Sequence, residues 1–102
     1  MTRNLLHAEA ATRERAADEV ADRLSAYSAA QASALATLLA TTAAVETDHS
    51  ALEAELHAIL QLASTGHVTV DHVAQLRRID MGKLPPHLIA YLTDLLEGCV
   101  AE

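Results

Sequence analysis

Alanine and leucine dominate this chain, and large aromatic residues are almost absent. Of its 102 residues, 22 are Ala and 16 are Leu, whereas Phe and Trp are missing and the only aromatic residues of the Phe, Tyr and Trp class are Tyr27 and Tyr91. Ala and Leu are the strongest helix formers, and aromatic and β-branched residues are those that favour strands. The length suits one domain with one modest core. We therefore predict an all-α fold in a single domain.

The residues that begin and end helices divide the chain into segments. Ser28 and Gln31 have the spacing of a capping box, and Thr47 or Asp48 is suited to cap the next helix. Gly66 can adopt the positive φ of a helix C-terminus, and Pro86 suits a first helical turn. With the apolar spacing, these signals predict a bundle or short solenoid of about five to six helices. The segments are a short first helix, then 12–26, 28–46, 48–65 and 69–79, and a C-terminal capping helix at 86–97.

Two of these predicted helix pairs have similar apolar patterns. A shift of 38 residues places the apolar positions of segment 12–46 on those of segment 48–80, which suggests two repeat units. Any two amphipathic helix pairs would match about as well, so a true repeat and a chance match both stay open. In segment 28–46 we expect one inward stripe, formed by Leu35, Leu38, Leu39 and Val45.

Two long stretches resemble the helix-A and helix-B pattern of HEAT-like repeats. They are "LLHAEAATRERAADEVADRL" and "LATLLATTAAVETDHSALEAELHAILQLAST". The resemblance covers about residues 5–80, but the chain lacks the proline often found in helix A and offers only two units. Small acidic HEAT-like proteins of this kind are similar to immunity proteins of bacterial polymorphic-toxin systems, which bind a cognate toxin domain and block it. The resemblance implies a short HEAT-like α-solenoid with a non-enzymatic binding function.

The charges are unevenly distributed along the chain. Acidic residues outnumber Lys and Arg by 14 to 7, which counts against nucleic-acid binding because that binding depends on cationic contacts with phosphate. Between Leu24 and Leu76 there is no Lys or Arg at all. We expect the acidic residues of this interval to face a basic partner, a cognate toxin domain. These residues are Glu46, Asp48, Glu53, Glu55 and Asp71.

An acidic surface would act on a basic partner by electrostatic attraction. Such complementarity raises the rate of encounter by roughly tenfold to a thousandfold at low salt. Reversing the charges of Asp48 and Glu55 is then expected to weaken binding and to leave thermal stability nearly unchanged, because exposed charges contribute little to folding. The competing interpretation is that these acids are ordinary soluble surface.

Other kinds of site find less support in the residues. His49, Glu53 and His57 lie four residues apart along one helix flank, whereas a zinc ion needs ligands that converge tetrahedrally. No nucleophile turn and no glycine-rich phosphate loop is present, so we expect no enzymatic activity and no cofactor. A second alternative is a homo-oligomeric scaffold in which the Ala-rich helix 28–46 packs against its copy.

The expected location is the cytoplasm. Cys99 is the only cysteine, so no disulfide can form within the chain, and residues 1–18 have no apolar run of the kind found in signal peptides. The stretch from Leu24 to Val45 is uncharged and long enough to span a bilayer. Its many hydroxyl and amide side chains disfavour insertion, so we expect a largely buried helix there and no membrane contact.

Overall fold

The fold is all-α, as the composition predicts. A computed structural model describes the backbone of residues 2–98 and the side chains of residues 4–97, so Cys99 lies outside the described residues. Every regular element in this part of the chain is helical. The α-helices are α1 (Thr2–Leu5), α2 (Ala10–Asp22), α3 (Ala29–Ala44), α4 (His49–Ala63) and α5 (Pro86–Gly98), and 3-10 helices lie at Leu24–Ala26, Val70–Arg78 and Met81–Lys83.

Local capping chemistry explains several helix boundaries. The Ser28 hydroxyl accepts a hydrogen bond from the Gln31 backbone N–H at 3.1 Å, and the Gln31 side chain accepts one from the Ser28 N–H at 2.8 Å, so the predicted capping box is confirmed. Gly66 has the predicted positive φ, of 84°, but α4 ends at Ala63 and its C-cap is Ser64, so Gly66 lies one residue beyond the predicted C′ position. Helix α2 differs from the prediction, because it begins at Ala10 and ends at Asp22, before a separate 3-10 turn.

The predicted helix 69–79 is a 3-10 segment and not an α-helix. Val70–Arg78 contains a kink at Val73, where φ is −116° and ψ is 22°. The stretch around it is rich in β-branched residues, with Val68, Thr69 and Val70 in succession. Such side chains lose rotamer freedom in an α-helix, so apolar spacing alone overestimated the helical character of this segment.

The helices pack in an arrangement that encloses one core. Helix α2 packs against α4, α3 packs against both α4 and the Val70–Arg78 segment, and α5 closes the core against that segment and α4. Large side chains that are completely buried come from all five α-helices and the 3-10 segment. They include Leu5, Val20, Leu39, Leu52, Leu56, Ile59, Leu62, Leu76, Leu88, Leu92 and Leu95.

The buried face of α3 is made mainly of alanine. Only Leu39 of the predicted stripe is fully buried, whereas Leu35 and Leu38 are half-buried. Val45 is 77% exposed, so its predicted inward position is wrong. It is the C-cap residue, where the backbone leaves the helical path and the helical periodicity ends. The small residues of the buried face are Ala32, Ala36, Ala40 and Ala43.

Helix α3 coincides with the uncharged stretch considered above as a membrane span. It has 16 residues, of which Ala32, Ala36, Leu39, Ala40, Thr42 and Ala43 are buried within the domain, so the expected largely buried helix is buried on one face only. Among residues 2–98, none of the helices has both the length and the apolar character that crossing a membrane requires.

Candidate functional site

The turn between α3 and α4 holds a buried ion pair. The Arg13 guanidinium of α2 donates to both carboxylate oxygens of Glu46, from Nε to Oε1 at 2.8 Å and from Nη2 to Oε2 at 2.7 Å. Its Nη1 donates to the backbone carbonyls of His7 and Ala8. The Glu46 side chain is fully buried and that of Arg13 is 16% exposed. Arg13 therefore connects the start of α2 to the turn that leads into α4.

The environment of Glu46 favours its charged form. Burial by itself would raise the pKa of the carboxyl, but the Arg13 hydrogen bonds, the neighbouring Glu55 carboxyl and a backbone hydrogen bond from Asp48 outweigh it and lower the pKa to about 2. Oxygen Oε2 also accepts from the backbone N–H groups of Thr47 and Asp48, at 3.1 and 3.0 Å. The prediction that Glu46 presents a free charge to a partner is wrong, because Arg13 and the turn use both oxygens.

Glu55 lies inside the fold. Its side chain is completely buried, and neither carboxylate oxygen has a hydrogen-bond partner among the described residues. Burial, with Glu46 beside it, raises the pKa of this carboxyl to about 9. The prediction that Glu55 faces a partner is wrong. Charge reversal here would place an ammonium group in the core, so it would not leave stability unchanged.

The sequence did contain a signal for the burial of Glu55. The residue follows Leu52 by three positions and precedes Ile59 by four, and the side chains of both neighbours are buried. Residues at these spacings share one helix face. The position belongs to the apolar face of α4, and only the acidic side chain suggested otherwise.

Asp48 caps helix α4. Its Oδ1 accepts a hydrogen bond from the Ala51 backbone N–H at 2.9 Å. We expect Asp48→Ala to lower the free energy of unfolding by about 0.5–2 kcal/mol, because it removes this cap. Asp48→Asn keeps an accepting oxygen and removes the charge, so it should stay near the wild type. Thermal denaturation compares the two variants, and equal stability of both would contradict a capping role.

The other two predicted partner-facing acids are exposed. Asp71 lies at the surface of the Val70–Arg78 segment. The Glu53 side chain is 49% exposed, and its Oε1 lies 3.5 Å from Nε2 of His87, which forms an ion pair only if that histidine is protonated. Both residues remain available to a partner.

An acidic groove forms where α2 faces α4. It has a volume of about 270 Å³, and three carboxylates line it, those of Glu14, Asp18 and Glu53. Its other lining residues are Ser50, Ala54, His57 and Tyr91, so no Lys or Arg of the described chain takes part. We call this surface the acidic groove. Sequence reasoning missed Glu14 and Asp18, because α2 also carries arginines and its charge looked balanced.

Neither arginine of α2 lines the acidic groove. Arg13 is directed to Glu46, and Arg15 lines a neighbouring groove, which shares Asp18 with the acidic groove. The acidic surface was predicted near the α3–α4 turn. In the structure it lies where α2 faces α4.

The histidine series on α4 does not form a metal centre. His57 pairs with Tyr91 of α5, with 3.3 Å between Nδ1 and the hydroxyl oxygen, and the two rings meet edge to face. His49 is exposed at the first turn. In the part of the chain that the structure describes, no group of three His, Cys, Asp or Glu residues is placed to hold a metal ion.

Comparison with known proteins does not assign the chain to a family. It matches no family model, no curated protein and no solved structure.

Proposed function

We propose that this protein is a non-enzymatic binding module, an immunity protein that neutralises a cognate basic toxin domain of a bacterial polymorphic-toxin system. The observation that carries the proposal is the acidic groove, which is lined by Glu14, Asp18 and Glu53 and by no Lys or Arg of the described residues. A basic side chain of a partner would supply the missing charge. The overall excess of 14 acids over 7 basic residues supports the same kind of partner.

The proposed interaction combines long-range attraction with a local fit. The acidic surface would steer a cationic domain towards the groove and raise the association rate. An arginine or lysine entering the groove would meet carboxylates on two helices, with the Tyr91 ring at one wall. A toxin domain that cuts nucleic acid needs cationic residues to bind phosphate, so covering them would also block its substrate. Such a protein would act in the cytoplasm of the toxin-producing cell.

A pull-down from the native cell tests this function, with the protein as bait at low and then high salt. We expect one basic toxin domain to be retained at low salt and released at high salt. The double charge reversal Asp18→Lys and Glu53→Lys should abolish retention, with an association rate lower by roughly tenfold or more. Thermal stability should change little, because both side chains are exposed.

A matched control is the reversal Asp71→Lys, which alters an exposed acid outside the acidic groove. It should leave most of the retention intact. If it weakened binding as much as the groove variant, net charge rather than the groove would explain the attraction. Recovery of the bait alone would favour the homo-oligomeric scaffold, and sedimentation of the purified protein would then detect the oligomer.

The homo-oligomeric alternative drew on the small side chains of α3. Ala36 and Ala40 are completely buried and lie within the domain, on the helix that packs against α4 and the Val70–Arg78 segment. The close approach that alanines permit is thus used inside one chain. The remaining exposed surface of α3 includes Ala34, Thr37 and Thr41. We therefore favour the acidic groove as the interaction surface.

A further inference from the structure

The Glu55 carboxyl is a buried group that forms no ion pair with any of the described residues. The side chain is fully buried, and both of its oxygens lack a hydrogen-bond donor among the described residues. An isolated ionised carboxylate is strongly disfavoured in such a place, whereas a neutral carboxyl is tolerated if it is hydrogen-bonded.

The charged groups around Glu55 come from two parts of the fold. Helix α2 contributes Arg13, and the α3–α4 turn contributes Glu46 and Asp48. The N–H groups of Arg13 are directed to Glu46 and to the carbonyls of His7 and Ala8. The Asp48 carboxylate caps α4. Two carboxyl groups, those of Glu46 and Glu55, therefore lie near one guanidinium, and the guanidinium donates its hydrogen bonds to Glu46.

The pair of carboxyl groups needs a proton to form a hydrogen bond. Two ionised carboxylates repel each other because both are negative, and they cannot form a hydrogen bond because neither has a donor. If one of them is protonated, its O–H can donate to the other. Glu46 has Arg13 and two backbone N–H groups to stabilise its negative charge, and Glu55 has none of these. The proton therefore belongs on Glu55.

We propose that the folded protein holds one solvent-derived proton on the Glu55 carboxyl, whose O–H donates a hydrogen bond to Glu46, and that folding consequently takes up one proton. The set Arg13, Glu46 and Glu55 is then electrically neutral and joins α2, the α3–α4 turn and α4. Loss of the proton leaves two buried carboxylates with one guanidinium and weakens the contact between these three elements. The inference does not depend on the proposed partner.

The direction of the pH dependence follows from the two carboxyl groups. Burial, followed by the adjacent Glu46, raises the pKa of Glu55 from 4.5 to about 9, whereas that of Glu46 is lowered to about 2. Between pH 4.5 and about 9, the unfolded chain has released the Glu55 proton and the folded chain keeps it. Stability from Glu55 is thus complete below about pH 4.5 and is lost as the pH rises towards 9. The lowered pKa of Glu46 has the opposite effect: its contribution to stability is lost as the pH falls from 4.5 towards 2.

Urea unfolding as a function of pH tests the proposal on the wild type, Glu55→Gln and the control Glu53→Gln. The side-chain amide that Glu55→Gln introduces can donate to Glu46 without a titrating proton. Relative to Glu55→Gln, the folding equilibrium constant of the wild type should fall by about tenfold per pH unit between about pH 6 and 8. Glu53→Gln changes an exposed acid on the same helix and should follow the wild type. Equal slopes for the wild type and Glu55→Gln would overturn the proposal.

A second measurement covers the case in which Glu55→Gln does not fold. The ¹³C chemical shift of the Glu55 side-chain carboxyl reports its ionisation directly in the wild-type protein. We expect the shift of a neutral carboxyl at pH 7, with no titration step near the ordinary glutamate value of about 4.3. A step at that value, with the fold intact, would show an ionised Glu55 and would overturn the proposal.

Discussion

Replacement of Arg13 by alanine is expected to lower the free energy of unfolding by about 3–5 kcal/mol at neutral pH, the range for removing one partner of a buried ion pair. The guanidinium supplies two short hydrogen bonds to Glu46 and two more to the chain before α2. Without it, the buried Glu46 charge keeps only backbone donors and lies beside Glu55. Chemical denaturation measures the loss.

The loss caused by Arg13→Ala should depend on pH. In the wild type the pKa of Glu46 is lowered to about 2, so its charge persists down to strongly acidic conditions. In the variant the carboxyl can escape part of the penalty by taking a proton, and the difference from the wild type should shrink below about pH 4. The control is Arg15→Ala, an exposed arginine on the same helix, for which we expect a change within about 0.5 kcal/mol. Equal effects of the two variants would contradict the anchoring role of Arg13.

A triple variant separates charge burial from loss of packing. Arg13→Met, Glu46→Leu and Glu55→Leu together remove the buried ion pair and the buried neutral carboxyl of this cluster and retain similar volumes. Replacing a buried ionic group with well-packed apolar side chains is often neutral or stabilising by about 1–4 kcal/mol. The triple variant should therefore be more stable than Arg13→Ala alone, although coupling among adjacent residues prevents simple addition of the single effects.

Replacement of Leu39 by alanine is expected to cost about 2–5 kcal/mol, the range for removing a fully buried leucine side chain. Leu39 is completely buried and is the one large side chain on a face of α3 that is otherwise alanine and threonine. Its removal leaves a cavity and also takes away the main apolar anchor of the helix. Since small domains are stable by only about 5–15 kcal/mol, a substantial part of the total would be lost.

The control for Leu39→Ala is Leu6→Ala. Leu6 is 63% exposed, so the same chemical change there should alter stability by no more than about 0.5 kcal/mol. Urea denaturation measures both, and the midpoint for Leu39→Ala should fall while the slope with denaturant stays the same. A similar small loss for both variants would mean that α3 does not depend on Leu39 for its packing.

Much of the fold follows from local chemistry. The Ser28–Gln31 capping box, the Asp48 cap and the positive φ at Gly66 each depend on neighbouring residues, and the structure contains all three. The Val70–Arg78 segment was harder to predict, since apolar spacing favoured a helix and β-branched residues opposed it. The HEAT-like repeat that the apolar pattern of residues 12–80 suggests stays a prediction.

The sequence by itself determined the helical class and most helix starts, because helix propensity and capping act within a few residues. Only the tertiary structure decided the roles of the acids, since a charge acquires its role from groups distant in the chain. Arg13 pairs with Glu46 across 33 residues, so the predicted surface charge of Glu46 is instead part of a buried ion pair. Glu14 and Asp18 line one groove with Glu53 only because α2 packs on α4. Electrostatic interactions depend on distance in space, and sequence spacing fixes that distance only within one helix.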